Sequence, residues 1–290
     1  MVAGLERTLG ACEAGPEPLS GGITNRNYLV RLGGGEYVLR RHGKDTGLLG
    51  IDRDAERRAG EAAAGLGIAP EVVAAIPGGL VTRYVPCSEL TPEELRGRVA
   101  EIAGLLRSFH GSGLRLAAGF WVPDLLESYA RLLRGRGGSV PAEYEQASAV
   151  AARIAGALPR GETVPCHNDL LPGNLIAAHG EGTIMIVDWE YAGMGHPYFD
   201  LGNLSVNNGF DEDADERLLA AYHEQVPTDS RRAALKLMRV LSDAREGAWG
   251  VVQGVLSELD FDFAGYAERH FERLLAAAAG PEFEEWLASA

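Results

Sequence analysis

In the first third of the chain, apolar and polar side chains alternate with a period of two. Tyr28, Val30 and Leu32 sit between polar positions, as do Tyr37 and Leu39, with Gly33-Gly34-Gly35 separating the runs. That spacing predicts a β-hairpin whose alternate side chains share one face. Val72 to Ile76 and Leu80 to Val85 predict a second hairpin around Pro77-Gly78-Gly79. Between the two, residues 51–66 are rich in helix formers, and Gly67 is a suitable stop. Residues 1–15 read as a short helix or a loose arm.

From Thr91 the period becomes helical. Thr91-Pro92-Glu93-Glu94 supplies a hydroxyl cap, a proline at the first position and acids in the first turn. Leu95, Val99, Ile102, Leu105, Leu106 and Phe109 follow at helical spacing. Residues 124–134 and 142–157 also read as helices, and strands at 174–178 and 183–188 flank the turn His179-Gly180-Glu181-Gly182. Helix returns from 213, including 230–256 and 262–279. The expected fold is α+β: residues 1–85 form a small antiparallel sheet with one helix, and residues 86–290 a mostly helical lobe.

Composition narrows the partners. With 46% apolar residues among 290, the chain has ample material for a core, and no run of about 18 apolar residues implies a transmembrane helix. The stretch Met1 to Gly10 lacks the basic and apolar regions of a secretory signal. Three widely spaced cysteines, Cys12, Cys87 and Cys166, form no C-x-x-C and suit reduced thiols in the cytoplasm. A net charge of −14 argues against nucleic acid as a partner, and no membrane partner is implied. Residues 1–160 hold 18 acidic and 19 basic side chains, residues 161–290 hold 23 and 8. An acidic second half favours a cationic small-molecule substrate.

The chemistry concentrates in Val164 to Leu201. His167, Asp169, Asn174 and Asp188 give H-x-D-x4-N followed by an aspartate at the end of an apolar run. That constellation belongs to kinase-type phosphoryl transfer. Asp169 would take the proton of an attacking hydroxyl, Asn174 and Asp188 would offer hard oxygen ligands to magnesium, and His167 would orient the loop. Ser20-Gly21-Gly22 precedes the first strand, where backbone amides could approach the phosphates of ATP, although it is not G-x-G-x-x-G.

Cys-His-Asn-Asp, Gly-Asn-Leu-Ile, Val-Asp-Trp-Glu-Tyr and Phe-Asp-Leu-Gly-Asn resemble the choline/ethanolamine kinase branch of the aminoglycoside phosphotransferase-like kinases. Gly21-Gly22-Ile23-Thr24-Asn25 with Tyr28, Val38-Leu39-Arg40 and Trp249-Gly250-Val251-Val252-Gln253 extend the likeness over nearly the whole chain. The resemblance implies a two-lobed protein-kinase-like fold and ATP- and magnesium-dependent phosphorylation of the hydroxyl of choline, ethanolamine or a similar amino alcohol. The alternative is a kinase of the same fold acting on an aminoglycoside, an amino sugar or another hydroxylated metabolite.

By that resemblance Gly21, Gly22 and Asn25 would meet the nucleotide. Arg40 would stand where other kinases carry a phosphate-binding lysine, with Glu56 as its ion-pair partner, while Arg41 faces the other side of the sheet. Adenine would lie against Thr82, Tyr84 and Val85, and Asp200 would brace the catalytic loop. Tyr191 and Trp249 would wall the acceptor's ammonium. Here the chain departs from the animal choline kinases: Glu246 replaces a box tryptophan, and Asn207 an expected carboxylate. Choline kinases are often dimers, which leaves room for a homodimer, although no periodicity marks an interface.

Overall fold

The computed structural model describes residues 2–19, 25–180 and 182–290, and Gly21 and Gly22 lie outside them. In chain order the elements are α1 (Val2–Leu9), β1 (Cys12–Pro18), β2 (Arg26–Leu32), β3 (Gly35–Arg41), α2 (Arg53–Gly65), β4 (Val72–Ile76), β5 (Gly79–Arg83) and β6 (Cys87–Glu89). There follow α3 (Pro92–Gly97), α4 (Val99–His110), α5 (Val122–Gly135), α6 (Ala142–Ala157), β7 (Val164–Cys166), β8 (Leu175–Ala178), β9 (Ile184–Ile186) and β10 (Gly193–Gly195). The last five are α7 (Pro197–Asn207), α8 (Glu212–His223), α9 (Asp229–Leu256), α10 (Phe263–Ala279) and α11 (Glu282–Ser289).

The chain forms two compact units, residues 1–90 with 173–191, and residues 91–172 with 192–290. The segment that carries β8 and β9 thus packs with the first unit. This is a two-lobed protein-kinase-like fold, with an antiparallel sheet in the first lobe and helices dominating the second.

In the first unit the sheet order is β1-β2-β3-β5-β4, antiparallel throughout. One face buries Val30, Leu32, Tyr37, Leu39 and Val81 around Leu5 of α1. Strand alternation then places Arg40 on the opposite face, with Val38. Asp52 caps α2, its carboxylate accepting from the Asp54 and Ala55 amides at 2.9 and 3.1 Å.

Beyond β6, β7, β10 and α7, which the sequence pattern does not mark, and β5, which stops at Arg83, three elements differ for a physical reason. β1 is a fifth strand in the stretch read as helix or arm. Its segment C-E-A-G-P-E-P has no apolar alternation, and the strand is an exposed edge with two irregularities of register. The helix begun by the Thr91–Glu94 capping box breaks at Arg98, whose φ of −108° and ψ of 16° separate α3 from α4. β9 ends at Ile186 rather than at 188, because Asp188 adopts a positive φ of 67° that strand geometry excludes.

The second unit is built round α9, a 28-residue helix buried for most of its length and packed by α5, α6, α7, α10 and α11. Small residues let the neighbours approach. A Cβ at Gly202 of α7 would lie 2.6 Å from the Met238 carbonyl carbon, and one at Gly247 would lie 2.5 Å from the Phe271 ring. None of the helices among the described residues is long and apolar enough to cross a membrane.

His196 caps α7, its Nδ1 accepting from the Tyr198 amide at 3.2 Å, and burial pushes its pKa down to about 4. Between the ordinary value of about 6.5 and about 4, the unfolded chain binds a proton that the folded chain refuses. Stability from this group is therefore full above about 6.5 and falls as the pH drops toward 4. His196→Asn keeps a capping acceptor but does not titrate. In urea melts at pH 7 and pH 4.5 the variant should lose less stability on acidification, by on the order of 1–2 kcal/mol after allowance for partial exposure. An identical acid loss in both proteins would show that His196 contributes nothing.

Candidate active site

In the first unit, charged side chains converge behind the sheet. Arg40 of β3 donates to Asp188 Oδ1 and lies 3.6 Å from Glu56 Oε1. Burial works against the guanidinium charge, but Asp188, Glu56 and Glu190 outweigh it and raise the Arg40 pKa above its ordinary value. Glu56 on α2, 1% exposed, is held more closely by Arg53 at 2.8 Å. His42 is 3.6 Å from Glu56, yet burial and the charges of Arg53 and Arg40 lower its pKa to about 4, so this is no ion pair at neutral pH.

Asn25 is buried in the same group. Its Nδ2 donates to Glu190 Oε2 at 2.8 Å, and its Oδ1 accepts from Arg53 and from the Gly43 amide, both at 3.3 Å. Burial and the Asp188 charge raise Glu190 to about 7, against the pull of Arg40, the Asn25 bond and Arg53. Asn174 and Asp188 stand at one end of the β8–β9 hairpin: Leu175 pairs with Ile186, and the Val187 amide donates to the Asn174 carbonyl at 3.0 Å. Both offer hard oxygen donors, a set that fits magnesium. Thr82 is flanked by Val38 and Val72 in the sheet, and the Tyr84 amide donates to Glu36 at 3.0 Å. Thr82, Tyr84 and Val85 are all half-buried, and Tyr191 of this unit is buried.

In the second unit, the loop after β7 carries His167, Asn168 and Asp169, all buried. Asn168 takes a positive φ of 66°, a strained conformation for a residue with a side chain. Asp200 of α7 holds it: Oδ2 accepts from the His167 amide at 2.8 Å and Oδ1 from the Asn168 amide at 2.7 Å. His110 Nε2 bonds Asp200 Oδ2 at 2.9 Å, and its Nδ1 bonds Tyr222 at 2.7 Å. Burial works to raise the Asp200 pKa, but the His110 bond, the His110 and His167 charges and the His167 amide hold it below the ordinary value. Cys166 lies beside this pair, and burial and the Asp200 charge push its thiol well up. With both His110 nitrogens and both Asp200 oxygens engaged, this cluster reads as a brace rather than a metal site.

His167 Nδ1 accepts from the Asp169 amide at 3.2 Å, which fixes the loop's next turn. Asp169 Oδ1 accepts from Arg245 of α9 at 2.9 Å. Glu246, 1% exposed, accepts from Arg245 at 2.6 Å on one oxygen and from the Tyr266 hydroxyl at 2.8 Å on the other. It is an engaged link rather than an open carboxylate. Burial and the Glu246 charge raise the Tyr266 pKa, so the phenol keeps its proton. Trp249 packs edge-on against Tyr266 and Phe263, with centroids 5.6 and 5.9 Å apart. Phe261 adds contacts to Phe263 and Tyr266 at 4.8 and 6.0 Å.

Glu246 and Trp249 are thus brought together, with three aromatic partners absent from the sequence reading. The signal for them is the run Phe261-Asp262-Phe263 with Tyr266 three residues on, at the start of α10. Asn207 is placed differently. It donates at 3.3 Å to Ser242, one helical turn before Glu246 on α9, and accepts from Arg273 of α10 at 3.5 Å. The neighbouring acid Asp243 is also committed, being paired with Arg273 and His270.

The sequence model of the phosphotransferase enzyme family matches residues 16–235. The chain belongs to that family. This phosphotransferase is similar in structure to a choline/ethanolamine kinase family protein from Mesorhizobium loti, with a TM-score of 0.79 and 31% identity over 96% of this chain and 92% of that one. In sequence it is 25% identical to the protein LicA of Haemophilus influenzae over 266 residues, 87% of this chain and 76% of that protein. Ethanolamine kinase 2 of Mus musculus is 24% identical over 274 residues, 81% of this chain and 68% of the mouse protein.

Proposed function

We propose that this phosphotransferase moves the terminal phosphoryl group of ATP to the hydroxyl of a small amino alcohol of the choline or ethanolamine type. Asp169 accepts the hydroxyl proton, and Asn174 and Asp188 hold magnesium. The ion, when bound, screens the phosphate charge and keeps its oxygens in place. Arg40, ordered by Glu56 and Asp188, supplies a guanidinium suited to phosphate oxygens. Thr82, Tyr84 and Val85 offer the edge against which adenine lies.

One observation carries the acceptor class: Trp249, Phe261, Phe263 and Tyr266 cluster beside Glu246, which is joined through Arg245 to Asp169. Aromatic faces with a nearby acid attract an alkylammonium group, and they do so without requiring it to donate hydrogen bonds. Both Glu246 oxygens are already hydrogen-bonded, so ring faces supply most of the attraction. That favours a quaternary ammonium. The relatives described as choline/ethanolamine kinase family protein and ethanolamine kinase support the same class.

ADP release on choline, ethanolamine, amino sugars and aminoglycosides tests the reading. Turnover on amino alcohols is expected, with kcat/KM for choline several-fold above that for ethanolamine. Turnover confined to amino sugars or aminoglycosides would move the chain to the antibiotic-modifying side of the family.

A further inference from the structure

Arg245 is a cation in an unusual place. Its side chain is 2% exposed and lies on α9, among the helices of the second unit. A single nitrogen, Nη1, donates to Asp169 Oδ1 at 2.9 Å and to Glu246 Oε1 at 2.6 Å. Glu246 is secured from its far side by Tyr266 on α10. A chain of four side chains, Tyr266–Glu246–Arg245–Asp169, therefore runs from the aromatic cluster to the catalytic loop.

A carboxylate taken out of water is biased toward its protonated form, and a protonated Asp169 cannot accept the acceptor's proton. An arginine keeps its charge at any working pH, so it favours the ionised carboxylate beside it. The bond also fixes Oδ1, and with it the direction of the other carboxylate oxygen. Burying a guanidinium requires counter-charge of its own, which Glu246 completes. Through Arg245, Glu246 and Tyr266 are linked to Asp169 by hydrogen bonds.

We propose that Arg245 is the positioning residue of the proton acceptor: it keeps Asp169 ionised and aimed, and Glu246 with Tyr266 locks Arg245 in that pose. The proposal rests on Asp169 being the base. Its consequence is that acceptor recognition and base activation share one buried charge chain.

Steady-state kinetics of Arg245→Ala and Arg245→Lys, with and without methylguanidine, test it. For Arg245→Ala, kcat should fall about 10²-fold while the KM for ATP stays within about twofold, and methylguanidine should restore about tenfold of the loss. Arg245→Lys keeps the charge without the planar fork, so its kcat should lie between those of Arg245→Ala and wild type at an unchanged melting temperature. A folded Arg245→Ala with wild-type kcat, a loss confined to the KM for ATP, or no response to methylguanidine overturns the proposal. If Arg245→Ala does not fold, Arg245→Lys decides, and a wild-type kcat there overturns it equally. Asp169→Asn run in parallel separates the two ideas. An active Asp169→Asn refutes the base itself, whereas an inactive Asp169→Asn beside unaffected Arg245 variants refutes only the role of Arg245.

Discussion

Replacing Asp169 by asparagine should lower kcat by about 10²–10⁴-fold and leave ATP affinity nearly unchanged. The amide has the shape of the carboxylate and its oxygen can still accept from Arg245, so the loop keeps its bonds. What it lacks is basicity. The hydroxyl proton must then leave without help as the oxygen attacks phosphorus, and only the chemical step slows. Single-turnover ADP formation and calorimetric binding of a non-hydrolysable ATP analogue separate the two quantities. Turnover at the wild-type rate would remove Asp169 from the reaction.

The largest effect on stability is expected at Asp200. Its carboxylate is fully buried and accepts from the His167 and Asn168 amides and from His110. Asp200→Ala strands two buried backbone donors and a ring nitrogen, at a cost of about 3–5 kcal/mol. It also releases Asn168 from its positive φ, so the residual activity of the folded fraction falls as well. Asp200→Asn retains one accepting oxygen and should sit between alanine and wild type. Urea midpoints at fixed slope measure the series, and a midpoint for Asp200→Ala equal to wild type would show that the loop needs no brace.

The hairpins were legible because one face of the sheet is buried. Val30, Leu32, Tyr37 and Leu39 must all point inward, which writes a period of two into the sequence. The edge strand at Cys12–Pro18 has no such obligation, since six of its seven residues are exposed and its pairing is set by β2. The break at Arg98 follows Gly97, a stop signal masked by the apolar spacing that runs on from Leu95 through Phe109. His167 and Asp169, and likewise Asn174 and Asp188, could be read from the sequence because the loop after β7 and the β8–β9 hairpin each fix their pair by local spacing. The aromatic partners could not, because Trp249 meets Phe263 and Tyr266 only through the packing of α10 on α9. Arg245 was invisible for a further reason: Arg-Glu on a helix reads as a solvated face, and only tertiary structure shows the pair to be buried.

Arg245, Glu246 and Trp249 ride on a helix whose Gly247 and Gly250 are pressed against Phe271 and Ala267. That part of the aromatic cluster cannot drift without unpacking the second unit. The segment from Ser257 to Asp262 is under no such constraint, with Leu259 and Phe261 both more than a third exposed. Changes of acceptor within this lineage should therefore accumulate in that short connection and leave α9 untouched, much as an antibody varies its loops over a fixed framework. A library confined to residues 257–262 is the economical place to seek new substrates.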